Sequence, residues 1–404
     1  MAAPLERVLL IHDYAGTRGG AELVIQDLRT ALRNRGIDAR LMASTADPFD
    51  QGSAPDYPFR GSTGNLRALR ETVNLDAVRV ARRTVREFAP QVVHLGMILT
   101  QASPAILPVV QSRPVILNVT EFRLVCPKGT RSLPDGRLCP HPVGLACLRE
   151  GCFRIRGLAP RLVQLALLRR WRNAVDLVVS PSQAMAAILE RHGFPVDAVV
   201  PYGVVVPPMR QRSTDPLLLG FAGRLLPEKG VEVLVDAVAQ LPPHLARVRL
   251  WIAGEGPDRA RLEAQARRLC LGDRVEFLGH LPREELQRRF EAVTIQVVPS
   301  LWSEPYGLVT VEAMARGTPV VASAVGASPE LIDDGRTGYL VPPGDAGALS
   351  RRLTEALGNS AGRASVAETA RRSAVAGFGI DLMTDRFLAL YQSVLEPAGP
   401  RQLA

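Results

Sequence analysis

In the stretch SEPYGLVTVEAMARGTPV (residues 303–320), Glu304 and Glu312 stand on either side of Gly307 and an apolar run. The pattern predicts a helix starting near Leu308, with one carboxylate just before it and the other inside it. The first N–H groups of a helix have no carbonyl of their own helix to bond and carry the positive end of its dipole, so this start can hold an anion such as a diphosphate. Glu312 can accept hydrogen bonds from ribose hydroxyls beside that phosphate, and Glu304 is free to face a sugar carried on it. Two acids beside a phosphate need cations. FAGRLLPEKG (221–230) offers them: Gly223 turns the chain after a strand, and Arg224 and Lys229 stand in the loop that opens the next helix. IAGEGPDRARLE (252–263) places a glycine-rich turn between a strand and a helix, with a supporting role.

The elements that must position these residues alternate. RVLLIH, QVVHLG, PVILNV and AVDLVVS in the first half read as buried strands, as do LLLGFAG, VRLWIAG, RVEFLG, VTIQVVPS and PVVAS in the second. Runs this apolar, separated by helical patterns, imply parallel sheets covered on both faces. A chain of 404 residues is long for one core. The reading is therefore α/β with two doubly wound, Rossmann-like domains facing across a cleft: an N-terminal domain over 1–200, a Pro- and Gly-rich linker over 201–216, a C-terminal domain over 217–380, and a helix and tail over 381–404 that pack back on the first domain.

Hydrophobic residues at 47% and charged residues at 22% exclude a disordered chain. The formal charge of +9 favours anionic partners, although arginine excess also accompanies GC-rich coding. Aromatic content of 5% and the lack of a recognition motif argue against nucleic acid. The only short apolar run at the N-terminus is interrupted by charge, which reads as a strand and not as a signal peptide or membrane span. The expected location is cytoplasmic, with reduced cysteines.

In order along the chain, GGAE (19–22), SPSQAMAAILERHGFP (180–195), GRLLPEKG, GEGP, RVEFLGHLP, EPYGLVTVE and GTPVVASAVGASPELIDDGRTGYLVPPGD resemble the retaining glycosyltransferases of family four, which have the GT-B architecture. The resemblance implies a UDP- or GDP-sugar donor held mainly by the C-terminal domain, and a saccharide, lipid-linked or secondary-metabolite hydroxyl bound mainly by the N-terminal one. It implies Arg224 and Lys229 on the diphosphate, Glu312 on the ribose and Glu304 at the donor sugar. The amides of Gly307, Leu308 and Val309, with the Gly19–Gly20 loop, would complete the phosphate cradle, and the backbone around Val275 to Phe277 would lie near the base. Cations and helix-terminal amides can stabilise a departing nucleoside diphosphate without a metal, and no Asp-x-Asp pair occurs in the chain.

The family's histidine after the PVILNV strand is replaced here by Thr120, followed by Glu121. Either of them takes over the hydrogen bond to the sugar, His94 serves from a neighbouring strand, or the chain is a weak or silent relative that binds a nucleotide sugar for assembly or regulation. The family's Asn-Gly-Val-Asp at the domain junction reads YGVV (202–205). Cys126, Cys139, Cys147 and Cys152 cluster in one loop, as a structural zinc clip or as plain thiols with an occasional disulfide. Residues 149–172 hold seven arginines, with Leu162, Leu165 and Trp171 available for an apolar face. That helix is either packed on the core with a solvated basic face or laid on anionic lipid.

Overall fold

A computed structural model describes residues 4–16, 19–46, 54–64, 67–134, 136–208 and 217–396. Residues 209–216 of the expected linker and 397–404 of the expected tail lie outside the described residues. The chain divides into two compact units, one within Met1–Pro134, Pro140–Gly203 and Ile380–Ala404, the other within Asp135–Cys139 and Val204–Gly379.

In the first unit the described strands are β1 (Arg7–Tyr14), β2 (Asp38–Ser44), β3 (Tyr57–Phe59), β4 (Val92–Leu95), β5 (Val115–Asn118), β6 (Leu177–Ser180) and β7 (Ala198–Val199). They form one sheet in the order β3-β2-β1-β4-β5-β6-β7. Every pairing is parallel, with Leu10 opposite His94 and Leu41. Val8, Leu9, Leu10 and Ile11 are fully buried, as a strand covered by helices on both faces requires.

The second unit repeats the plan with β8 (Leu218–Ala222), β9 (Arg249–Ala253), β10 (Val275–Gly279), β11 (Ile295–Val298), β12 (Val320–Ser323) and β13 (Tyr339–Val341). The order is β10-β9-β8-β11-β12-β13, again parallel throughout. Leu219, Leu234, Leu250, Ile252, Ile295, Val297 and Leu353 form the centre of its core. In each sheet the order reverses once, between β1 and β4 and between β8 and β11. Such a reversal opens a crevice at the carboxyl ends of the strands, where ligands of doubly wound sheets bind.

The last helix, Ile380–Leu395, belongs to the first unit. It packs on the helix Gly20–Asn34, where Arg35 bonds Asp385 at 2.6 Å. Tyr391 and Phe387 are fully buried against His94. The chain leaves the first unit after Gly203 and returns at Ile380. Val204 bridges Gly379, and the Gly203 amide donates to Met383 Sδ at 3.1 Å.

Candidate active site

The loops after β8 and β11 bring the second unit's site residues together. Gly307 adopts a left-handed conformation (φ 101°) and caps the helix Leu308–Ala315, whose first turn closes with Thr310 N–H donating to the Gly307 carbonyl at 2.9 Å. Leu308 and Val309, as the first residues of that helix, have no carbonyl of their own helix to bond.

Glu304 precedes this helix and is 8% exposed. Its Oε1 accepts from Lys229 Nζ at 2.6 Å and from Ser300 Oγ at 2.7 Å. Burial pushes the Glu304 carboxyl up, but the Lys229 ammonium and these hydrogen bonds outweigh it and hold the group below the usual carboxylate range. Lys229 also lies over the Trp302 ring at 5.1 Å. Arg224 is exposed.

Backbone contacts explain the position of Lys229. Gly230, just after it, has φ 65°, and a Cβ there would stand 2.0 Å from the Pro299 carbonyl oxygen. Only glycine lets these two loops approach so closely, and the Leu301 amide then donates to the Glu228 carbonyl at 2.9 Å. The GEGP turn buttresses the same loop: Gly223 N–H donates to Ala253 at 3.0 Å and Leu225 N–H to Glu255 at 2.9 Å.

Glu312 sits in the helix Leu308–Ala315 with 18% of its side chain exposed, and Arg283 approaches its Oε1 at 3.8 Å. The expected base contact at Val275 to Phe277 is not brought to this edge. Parallel strands all point the same way, so Val275, which opens β10, lies at the far edge, and Gly279, which closes it, lies at the near one. Gly279 accepts from the Gly254 amide at 2.7 Å.

In the first unit, Thr120 and Glu121 follow β5. With Gly96, Leu117, Asn118 and Arg123 they line a small, solvent-open pocket. Glu121 pairs with Arg123 at 2.9 Å and keeps about 24% of its side chain exposed. Burial pushes its carboxyl up to about 7; Arg123 pulls it down, while Asp13 and Glu22 add to the rise. Thr120 Oγ1 is buried without a hydrogen-bond partner among the described residues. Gly19 caps the helix Gly20–Asn34, but the Glu22 carboxylate folds back to within 2.0 Å of where a Gly19 Cβ would stand. The anion position at that helix start is thus faced by the chain's own acid, in the manner of a capping box.

His94 is a packed residue and not a site residue. It is fully buried, its Nδ1 lies 2.8 Å from Tyr391 Oη, and burial with His12 nearby lowers it to about 3. The zinc expectation is not supported by the geometry: among the described residues no group of three or more His, Cys, Asp or Glu side chains is arranged to hold a metal ion. Cys126 is set by its amide bonding Phe122 at 2.7 Å, whereas Cys147 lies in the short helix Ala146–Arg149.

The basic helix is Ile155–Arg170. It buries Leu158, Gln164, Leu165 and Leu168 and packs on the helix Arg67–Thr72. Arg161 and Arg67 there pair with Glu71, which is 1% exposed. The expected apolar face is split: Leu165 points inward, whereas Leu162 is 39% exposed.

Sequence reasoning did not single out His12, Asp13, Glu22 or Arg123 as site residues. Asp13, fully buried at the end of β1, accepts from the Thr100 amide and hydroxyl and the Gln101 and Ala102 amides at 2.7–2.8 Å, fixing the loop after β4. A polar pair, His12–Asp13, near the end of an otherwise apolar strand was the available signal.

Two family models match the chain: a glycosyl transferase 4-like domain over residues 19–203 and the glycosyl transferases group 1 over residues 208–373. The D-inositol 3-phosphate glycosyltransferase of Streptomyces scabiei (strain 87.22) is 37% identical over 183 residues, which is 43% of this chain and 36% of that one. That of Mycolicibacterium smegmatis is 41% identical over 150 residues, 36% of this chain and 33% of that one. The chain therefore spans about a third of the length of these curated relatives. Among solved structures, sucrose-phosphate synthase from Thermosynechococcus elongatus superimposes with a TM-score of 0.75 at 24% identity, covering 96% of this chain and 99% of the other. Anabaena HepE in complex with UDP and glucose gives 0.71 at 22% identity over 96% and 100%. With one model on each sheet-bearing half and a like architecture in these structures, the chain belongs to the family-four glycosyltransferases and has the GT-B fold.

Proposed function

We propose that this chain moves a sugar from a UDP- or GDP-linked donor to a hydroxyl of a saccharide, lipid-linked or secondary-metabolite acceptor, with retention of anomeric configuration and without a catalytic metal. The observation that carries the reading is the Lys229–Glu304 pair at 2.6 Å, in the loops at the switch point of the second sheet, a few residues before the start of the helix Leu308–Ala315. In this reading residues 1–200 take the acceptor, 217–380 take the donor, and 201–216 link them.

Lys229 and Arg224 compensate the diphosphate, the amides of Gly307, Leu308 and Val309 bond its oxygens, and Glu312 accepts from the ribose. Glu304, kept ionised by Lys229, faces the donor sugar. The cations and amides stabilise the negative charge that grows on the leaving nucleoside diphosphate. The donor class is supported by HepE, solved in complex with UDP-glucose. The curated relatives, named D-inositol 3-phosphate glycosyltransferases, bring cyclitols into the acceptor class.

A thermal-shift screen of the full chain against UDP, GDP, ADP and their common sugar conjugates tests the reading, because a ligand of the native state raises apparent stability. A shift with one nucleotide family supports it, and no shift with any of them overturns it. A second reading, a silent relative that binds the donor without transferring it, is favoured by Thr120 at the family's histidine position. Release of free sugar from the donor separates the two: a silent relative gives none.

The cytoplasmic reading carries peripheral contact with an anionic membrane. It rests on Ile155 and Val163, 71% and 51% exposed on the arginine-rich helix Ile155–Arg170. Co-sedimentation with phosphatidylglycerol vesicles at low salt supports that contact, and a chain left in the supernatant removes it.

A further inference from the structure

The pocket after β4 and β5 has a charge balance that the donor reading does not use. Among the described residues its one lining cation, Arg123, is already paired with Glu121. Asp13 from the end of β1 and Glu22 from the helix Gly20–Asn34 add two further negative charges that Glu121 feels. Asp13 has its oxygens taken by the donors of Thr100, Gln101 and Ala102, so its charge remains while its lone pairs are occupied. Glu71, the other acid near Arg123, is matched by Arg67 and Arg161. Among the described residues the local balance is therefore weakly negative, with Asp13 and Glu22 set against the one spare cation of the Arg67–Glu71–Arg161 group.

Two buried polar atoms there also lack hydrogen-bond partners among the described residues. One is Thr120 Oγ1. The other is Nε2 of His12, a residue with no exposed surface. Its ring faces Gly96 in the pocket wall, where a Cβ would stand 2.5 Å from His12 Cδ2 and 3.3 Å from Nε2. Orphaned polar atoms of this kind are costly unless a ligand or water bonds them.

We propose that this pocket receives the acceptor, and that the acceptor is a small polyol ring bearing a protonated amine, seated against Glu121. The proposal rests on the transferase reading above and names the substrate class of its acceptor side. An ammonium brings three donors and no acceptor, which suits a carboxylate, a hydroxyl and the His12 Nε2 lone pair of the tautomer whose Nδ1–H donates to the Tyr14 carbonyl at 3.1 Å. It also supplies positive charge opposite Asp13, Glu22 and the ionised fraction of Glu121, where a phosphoryl group would add negative charge. Near pH 7 Glu121 is partly protonated in the ligand-free chain. A cation beside it draws that proton off, so binding releases protons at this pH.

Isothermal titration of the full chain at pH 7, in two buffers of different ionisation heat, compares glucosamine, glucose and glucose 6-phosphate, which share one ring. The expected result is glucosamine binding about 10-fold tighter than glucose, with proton release, and glucose 6-phosphate binding weaker than both. Glu121→Gln should erase the preference for glucosamine, and Glu22→Gln, outside the Thr120–Arg123 turn, should reduce it. Equal affinity for glucosamine and glucose, tighter binding of glucose 6-phosphate, no binding of any of the three, or an unchanged preference in both variants overturns the proposal. The nucleotide screen separates the two readings: a UDP shift without amine preference keeps the transferase and discards this pocket assignment, and amine preference without any nucleotide shift does the reverse.

Discussion

Lys229 Nζ and Glu304 Oε1, on residues 75 apart in sequence, meet at 2.6 Å. The Lys229 side chain is 22% exposed and that of Glu304 10%. The pair links the loop after β8 to the loop after β11, so the order of the sheet, and not proximity in the chain, puts a cation against the carboxylate that precedes the helix start.

Replacing Lys229 with alanine removes the largest influence that opposes burial and leaves the buried carboxylate only its Ser300 and Trp302 hydrogen bonds, so the Glu304 carboxyl should move up. The variant should lose about 3 kcal/mol of stability and, under the proposed function, about 100- to 1000-fold in turnover. In the parent, the depressed Glu304 carboxyl contributes stability that is present above the ordinary glutamate range and lost as pH falls through the folded value. Thermal melts from pH 6 down to pH 3 should show a steeper loss for the parent than for Lys229→Ala.

Gly230→Ala introduces a Cβ at φ 65° and 2.0 Å from the Pro299 oxygen. The two loops must separate, which should cost about 1–3 kcal/mol and pull Lys229 away from Glu304. Loss of the nucleotide-induced thermal shift in a variant with native circular dichroism is the expected reading. A full shift would mean that the loops tolerate the separation.

Glu121 gives the opposite pH slope from Glu304. Its folded value near 7 is above the unfolded one, so its contribution is fully present below about pH 4.5 and lost as pH rises through 7. Between pH 5 and 8 Glu121→Gln should lose less stability than the parent, by about 1–3 kcal/mol. Melting temperatures across that window provide the check.

Tyr391→Phe removes the partner of His94 Nδ1 at a site with no exposed surface. The cost should be about 1–3 kcal/mol, read in urea unfolding. His94, lowered to about 3 by burial and by His12, contributes stability that is present above pH 6.5 and lost on acidification. His94→Phe should flatten that part of the profile.

The strands that frame both sites were legible because burial on two faces leaves near-continuous apolar runs, as in Val92–Leu95 and Ile295–Val298. β2 escaped notice because Asp38 and Arg40 break the run in an outer strand, and β3 and β13 are only 3 residues long. Gly307 and the helix start after it could be read from local spacing. The Lys229–Glu304 contact and the bonds from Thr100 to Asp13 could not, because they depend on which strands become neighbours.

The helix Ile380–Leu395 gives the chain an inverted timetable. A ribosome releases residues in order, and domains ordinarily close from the N-terminus onward. Here the first sheet is made early, yet the surface around His94 stays open until Phe387 and Tyr391 emerge, after the second unit's residues 204–379. The Val204–Gly379 stretch is complete before then and can fold while its predecessor waits. A message truncated before codon 380 would therefore yield a finished second unit attached to an unfinished first one, with an uncovered apolar face for chaperones and proteases to find.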